Sequence, residues 1–295
     1  IRRGKSIQTV EIGGATNKDL AEMMVGRSVS FTTEKEASNP KEVVLSIKDL
    51  VVNENRGVPA VKNLSLDVRA GEIVGIAGID GNGQSELVQA ITGLRKVKSG
   101  SITIKGKEVV GLSPRKITEM QVSHVPEDRH RDGLVLDMML SENMALQTYY
   151  KEPLSKNGIL NYNNITSYAR KLMDEFDVRA ASESVPASAL SGGNQQKVVI
   201  AKWLLAKSKI LIMDEPTRGI DVNAKAEIYE LMKNFVEEGG SIILVSSELP
   251  EVLGCSNRIM VMREGYVTGF LDSAEATEEN VMLFASKGNE EVVYE

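Results

Sequence analysis

Ala189-Leu190-Ser191-Gly192-Gly193-Asn194-Gln195-Gln196-Lys197 heads a helical pattern, which leads into Lys209-Ile210-Leu211-Ile212-Met213-Asp214-Glu215-Pro216-Thr217. The first run reads as a loop opening a helix. Ser191, Gly192 and Gly193 leave backbone N–H groups unobstructed there, and the positive end of the helix dipole suits an anion. The second run is a buried strand that delivers adjacent carboxylates, Asp214 and Glu215, at its carboxyl end. Open α/β sheets place their ligands at that end.

Working outward, Glu72-Ile73-Val74-Gly75-Ile76-Ala77 is a short apolar run of the buried-strand type. Gly78-Ile79-Asp80-Gly81-Asn82-Gly83-Gln84-Ser85 follows it, and helical spacing begins at Glu86 and ends near Gly93. Strand, glycine-rich loop and helix are the setting a phosphate-cradling loop requires. The pattern G-x-x-x-x-G-K-[ST] is broken at one position, where Gln84 replaces the lysine that neutralises the β- and γ-phosphates. Ser85, the magnesium-directed hydroxyl, is kept. Glutamine still donates hydrogen bonds but brings no charge, so transition-state stabilisation is expected to suffer more than binding.

Val43-Val44-Leu45-Ser46-Ile47 and Leu64-Ser65-Leu66-Asp67-Val68 read as strands, with Gly57–Pro59 as turn chemistry between them. His124-Val125-Pro126-Glu127-Asp128-Arg129 follows another strand-like stretch. Its polar side chains are candidates to lie near magnesium or an attacking water, the alternative being a solvated charged loop. Residues from about 136 to 189 read mainly as helices, clearest at Asn143–Tyr149 and Ile165–Phe176, and look inserted between the two halves. Ala224–Glu237 reads as a helix, Ser241–Val245 as a second buried strand ending in Ser246-Ser247-Glu248, and Arg258–Leu271 as β structure before a short last helix. Apolar strands separated by helices imply a mostly parallel sheet covered on both faces.

The chain has 295 residues, enough for a full core, with 42% hydrophobic and 26% charged residues. A net charge of −6 and 4% aromatics argue against nucleic acid as partner. A single cysteine, Cys255, with two histidines, His124 and His130, excludes a disulfide framework and a cysteine-rich zinc site. The histidines read as structural or exposed, and Tyr149, Tyr150 and Trp203 as core or interface residues. No stretch reaches the roughly 18–20 apolar residues of a membrane span, so any membrane role is expected through a partner.

The amino-terminal segment repeats the character of the carboxyl-terminal one. Arg2-Arg3-Gly4-Lys5 matches Met262-Arg263-Glu264-Gly265, and aligning Gly4 with Gly265 brings Ala15-Thr16 onto Ala276-Thr277. This reads as one domain's tail appearing twice. The expectation is a tail of a preceding domain over 1–36, a linker over 37–42, and a complete domain over 43–288 with a helical subdomain at about 136–205.

Together these residues resemble the ATP-binding-cassette ATPases over nearly the whole chain. Gly78–Ser85 matches the Walker A loop, Leu190–Lys197 the signature motif and Ile210–Glu215 Walker B; Gly219–Asp221 falls where the D-loop begins. The resemblance implies an α/β fold. Its core is P-loop, RecA-like, with a mixed, mostly parallel sheet, an amino-terminal antiparallel β subdomain and an inserted α-helical subdomain. It implies ATP and Mg2+ as cofactors, with Glu215 as catalytic base. Gly78, Asp80, Gly81, Asn82, Gly83, Gln84, Ser85 and Glu86 would hold nucleotide with Glu127, which occupies the usual Q-loop glutamine position, and Ser247. Ser85 and Asp214 would serve magnesium, Asp214 through water. Ser247 stands where the family normally has histidine, and no aromatic lies between Leu45 and Ala60 to stack on adenine.

More narrowly, PEDRHRDGLVL, LSGGNQQK, DEPTRGIDV and VSSELPEV resemble the second cassette of tandem ATPases serving bacterial simple-sugar and nucleoside importers. Met23-Met24-Val25-Gly26-Arg27 resembles the end of the first cassette in the same proteins. By that resemblance Ser191, Gly192, Gly193 and Gln195 reach the γ-phosphate of ATP held by the first cassette. The implied partners are that cassette, membrane permease subunits and, indirectly, an extracytoplasmic substrate-binding protein, at the cytoplasmic face of the membrane. The competing readings are a non-catalytic regulatory nucleotide-binding module and a soluble ATPase acting on nucleic acid or the ribosome.

Overall fold

The computed structural model describes residues 41–204 and 208–286. The tail expected at 1–36 and most of the linker at 37–42 lie outside the described residues.

The first layer is an antiparallel hairpin, β1 (Val43–Asn53) and β2 (Pro59–Arg69). In β2, Leu64, Leu66 and Val68 are buried while Ser65, Asp67 and Arg69 are exposed, the period-two signature of a sheet with one face on the core. The buried strand β3 (Ile73–Ala77) runs into the glycine-rich loop and helix α1 (Gln84–Ile91). Strands β4 (Val97–Ile104) and β5 (Lys107–Glu108) complete a four-stranded sheet in the order β2-β1-β4-β5.

The short helix α2 (Pro114–Glu119) leads to β6 (Val122–Val125), and a π-helical turn over Arg129–Gly133 follows. The inserted region holds α3 (Leu140–Ala145), the small hairpin β7 (Ser155–Lys156) and β8 (Ile159–Leu160), and α4 (Tyr162–Glu175). The signature run opens α5 (Gly192–Leu204). Then come β9 (Ile210–Asp214), α6 (Val222–Glu237), β10 (Ser241–Val245), α7 (Leu249–Cys255), β11 (Arg258–Arg263), β12 (Tyr266–Asp272) and α8 (Glu278–Ser286).

The central sheet has the order β12-β11-β3-β10-β9-β6, parallel except for β12. Every residue of β3, β9 and β10 is buried, as the continuous apolar runs require of strands covered on both faces. Alternation divides them. Ile210, Ile212, Ile243 and Val245 join the core shared with the antiparallel sheet and α1, whereas Leu211, Met213, Ile242 and Leu244 join the core beneath the inserted helices.

Parallel register fixes where the loops fall. Val245 pairs with Ile76 on one side and with Asp214 on the other, and Val125 pairs with Met213. The residues just beyond these strands, Gly78, Glu127, Glu215 and Ser247, therefore emerge at one edge of the sheet.

The inserted region departs from its expected content. The helix read at Asn143–Tyr149 is an earlier, shorter one at Leu140–Ala145, and the β7–β8 hairpin falls within the region that read mainly as helices. Asn157 (φ 53°) and Gly158 (φ 81°) both take left-handed conformations at its turn. An Asn-Gly pair favours that two-residue connection, so the signal was present in the sequence. Asn161 then caps α4 by accepting from Asn164 N at 3.1 Å.

Candidate functional site

The loop after β3 is shaped by its glycines. Gly83 holds φ +103°, and a β-carbon there would lie 2.4 Å from the Ala60 carbonyl oxygen, so the loop presses against β2 as only glycine allows. Asn82 secures the other side: its Oδ1 accepts from Glu264 N at 2.7 Å and its carbonyl from Gly265 N at 3.1 Å. The buried Gln84 donates through Nε2 to Ile79 O at 3.1 Å, which closes the loop on itself.

A cavity of about 150 Å³ opens beside this loop. It gathers Gly78, Asp80, Gly81, Gln84, Ser85, Glu127, Asp214, Glu215 and Ser247. Asn82, Gly83 and Glu86 do not line it; the first two shape the loop from behind and Glu86 lies in the first turn of α1. Among the described residues, no lysine or arginine lines the cavity.

Its electrostatics follow from that composition. Burial, reinforced by the charges of Glu127, Glu215 and Asp80, pushes Asp214 up to about 7. Burial also raises Glu215, opposed by hydrogen bonds from Ser247. Glu215 has φ +46°, a sparsely populated conformation for a non-glycine residue. Two backbone bonds hold it there: Glu215 N to Val245 O at 2.9 Å, and Ser247 N to Glu215 Oε1 at 2.5 Å. Glu127 forms an ion pair with Arg218, a partner not anticipated from the sequence although it directly follows the DEPT run.

Magnesium with a nucleotide fits this donor set. The charges of Glu127, Glu215 and Asp80 raise the proton affinity of Asp214, and a divalent cation would relieve that crowding. Magnesium is commonly held through one or two carboxylates, its own waters and phosphate oxygens, which a serine hydroxyl and a single carboxylate in this cavity could supply. Ser85 and Asp214 would hold it, and the loop N–H groups would hold phosphate.

The signature run is built differently. Ser191 is exposed and accepts from Asn194 Nδ2 at 3.0 Å, while Gly192 is half-buried. Gly193 is buried where a β-carbon would come 2.8 Å from Ala224 Cβ. Gln195 turns inward, donating to Ala187 O at 3.1 Å and meeting His130 Nε2 at 2.9 Å. None of the four lines the acidic cavity. Asp221, expected at the start of the D-loop, caps α6 by accepting from Asn223 N and Ala224 N at 3.0 and 3.1 Å.

A larger groove of about 760 Å³ adjoins the cavity and shares Ser85, Glu127 and Asp214 with it. Val88, Ile117, His124 and Trp203 line it. Among the described residues, the side-chain nitrogens His124 Nε2 and Trp203 Nε1 are buried without a hydrogen-bond partner, and burial pushes the His124 imidazole down to about 4, so it stays neutral.

A glycine-rich loop opening a helix, set against a strand that ends in two carboxylates, makes this core a P-loop, RecA-like ATPase fold with a mixed sheet and a helical subdomain. A sequence profile of the ABC transporter family matches residues 61–218. The chain belongs to that family, as an ATP-binding protein related to those of ribose and nucleoside importers.

It is 57% identical over 289 residues to the nucleoside import ATP-binding protein NupA of Lactococcus lactis subsp. cremoris, covering 98% of this chain and 57% of that protein. It is 47% identical to the guanosine import ATP-binding protein NupO of Bacillus subtilis, covering 96% and 56%. To the ribose import ATP-binding protein RbsA of Lactococcus lactis subsp. cremoris it is 40% identical, covering 98% and 57%. The chain thus spans just over half the length of these relatives. Among solved structures, cbiO1 from Clostridium perfringens, part of an ABC transporter complex, superposes with a TM-score of 0.67 at 25% identity, covering 82% of this chain and 94% of that one. A nucleotide-free ATP-binding cassette from an ABC transporter gives 0.68 at 20% identity, covering 83% and 96%, which shows the fold alone.

Proposed function

We propose that this chain is the second, partly degenerate cassette of a tandem ATPase that powers import of nucleosides or simple sugars. The names of its relatives support the substrate class, and the higher identities fall on the nucleoside side. The observation that carries the degeneracy is the acidic cavity itself. Its phosphate loop has Gln84 folded back onto Ile79, and among the described residues no cationic side chain lines it beside Asp80, Asp214 and Glu215, Glu127 being paired with Arg218.

In this reading ATP and Mg2+ bind weakly at Gly78–Ser85, with Ser85 and Asp214 toward the metal and Glu215 in the base position. The exposed Ser191 and Gly192, with Gly193 and Gln195 behind them, serve ATP held by the first cassette. The likeness between residues 1–36 and the segment around Gly265 supports a preceding cassette. The groove at Val88, Ile117, His124 and Trp203 suits a permease segment, because it is about 760 Å³, partly apolar and borders Glu127. No helix among the described residues is long and apolar enough to cross a membrane, which agrees with attachment through such a partner at the cytoplasmic face.

Steady-state ATP hydrolysis tests the division of labour in the full-length protein. Glu215→Gln should leave most turnover intact, whereas Ser191→Arg should abolish it. The opposite pattern would assign catalysis to this domain's own cavity.

A further inference from the structure

Between the acidic cavity and the head of α5 lies the turn Asp128–Gly133, and its contacts run to both. The Asp128 side chain fixes the turn by accepting from His130 N at 2.9 Å and Arg131 N at 3.1 Å. Glu127, just before it, pairs with Arg218 on the cavity side. On the other side His130 meets Gln195, and Lys202 donates to Gly133 O.

Arg129 joins the two sides. Its Nη1 donates to Arg218 O at 2.9 Å. Its Nη2 lies 3.1 Å from where a β-carbon on Gly192 would stand, and Gly219 O is 3.4 Å from that same point. The planar guanidinium therefore occupies space that two glycines leave open, one at the head of α5 and one after the carboxylate strand. Its Nε is buried without an acceptor, and no carboxylate pairs with it among the described residues. A lysine could make the Arg218 bond without filling the flat space over Gly192.

We propose that Arg129 is a positioning residue for the signature loop: its guanidinium, laid against Gly192 and fastened to the Arg218 carbonyl, sets where Ser191 and Gly192 stand relative to the carboxylate strand. The role rests on the reading that Ser191 and Gly192 act on ATP held by another cassette. Because Arg218 also pairs with Glu127, the same fastening ties that loop to the residues bordering this domain's own cavity.

The test uses the full-length protein assembled with its permease in lipid nanodiscs, measuring ATP turnover, KM for ATP and melting temperature. In Arg129→Gln, kcat is expected to fall about 10-fold, with KM changed by less than about twofold, as displacement of a positioned group predicts. Arg129→Lys, which can still donate to the Arg218 carbonyl, should fall between this variant and the parent. Unchanged kcat in R129Q, a rise in KM alone, or an R129K no better than R129Q overturns the assignment. Ser191→Arg separates the two readings. If S191R is inactive while R129Q is fully active, the positioning role alone fails; if S191R is fully active, the reading beneath it fails as well.

Discussion

Ser247 N donates to Glu215 Oε1 over 2.5 Å, so a backbone group at the end of β10 sets the position of the carboxylate at the end of β9. The Ser247 side chain bonds the same carboxylate, and both bonds oppose the upward pull of burial on it. In the proposed reading Glu215 is held in the position of a base, while Gln84 and Ser247 bring no charge toward a γ-phosphate. The placing of this carboxylate and the missing charge can be tested in separation.

The first prediction follows from that separation. The chain alone should hydrolyse ATP at or below the detection limit, and Gln84→Lys should restore affinity before it restores turnover. A hydrogen bond from a charged donor contributes about 1.5–3 kcal/mol, so ATP binding should tighten roughly 10-fold or more, read by titration calorimetry. Binding no tighter than in the parent would mean that the loop, and not its missing charge, limits affinity.

A second prediction concerns pH and magnesium. Asp214 rises from an ordinary 3.8 to about 7 in the folded chain, so between those values the native state holds a proton that the unfolded state has released. Stability must then fall as pH rises from about 4 to 7, because the unfolded state binds fewer protons there. Glu215 and Glu251 are shifted in the same direction, so Asp214→Asn isolates the effect: its melting temperature should exceed the parent's at pH 8 and the gap should close near pH 4. Magnesium should raise the parent's melting temperature more at pH 8 than at pH 6, and D214N should lose most of that gain. Equal magnesium effects at both pH values would remove Asp214 from the cation site.

Much of this was legible because the signals are local. Continuous apolar runs marked β3, β9 and β10, and Gly78, Gly81 and Gly83 marked the loop that runs from β3 into α1. The register that brings Glu127 beside Asp214 is a tertiary property, and only the resemblance to a known family anticipated it. Arg129 and Arg218 were missed for a related reason. Within a run such as Glu127–Asp132 every charge reads as solvated, and nothing local says which one folds over Gly192. The β7–β8 hairpin was missed although Asn157-Gly158 announced it, because the helical pattern on either side outweighed a two-residue signal.

A third prediction uses Lys202, which is 2% exposed and donates to Gly133 O. Burial lowers it to about 8 from 10.5, so between those values the unfolded state carries a proton that the native state lacks. Stability from this group therefore rises as pH climbs from 8 toward 10.5, the reverse of Asp214. Relative to Lys202→Met, the parent should gain melting temperature across that range. A difference that stays constant between pH 7.5 and 10 would mean that Lys202 titrates normally.

The last prediction separates backbone strain from steric conflict in the phosphate loop. Gly57 and Gly83 both hold left-handed conformations, at φ +85° and +103°, but a β-carbon on Gly57 would meet nothing within 4 Å, whereas one on Gly83 would lie 2.4 Å from Ala60 O. Gly57→Ala should cost about 1 kcal/mol, the conformational penalty alone. Gly83→Ala adds a clash with a main-chain oxygen that cannot swing aside, and should cost about 3 kcal/mol or more in urea denaturation. Relief of that clash would have to move β2 away from the loop, loosening the Asn82 bonds to the Glu264–Gly265 turn. ATP affinity should therefore drop in G83A and hold in G57A, and equal losses in the two variants would show that the approach to Ala60 has no part in shaping the cradle.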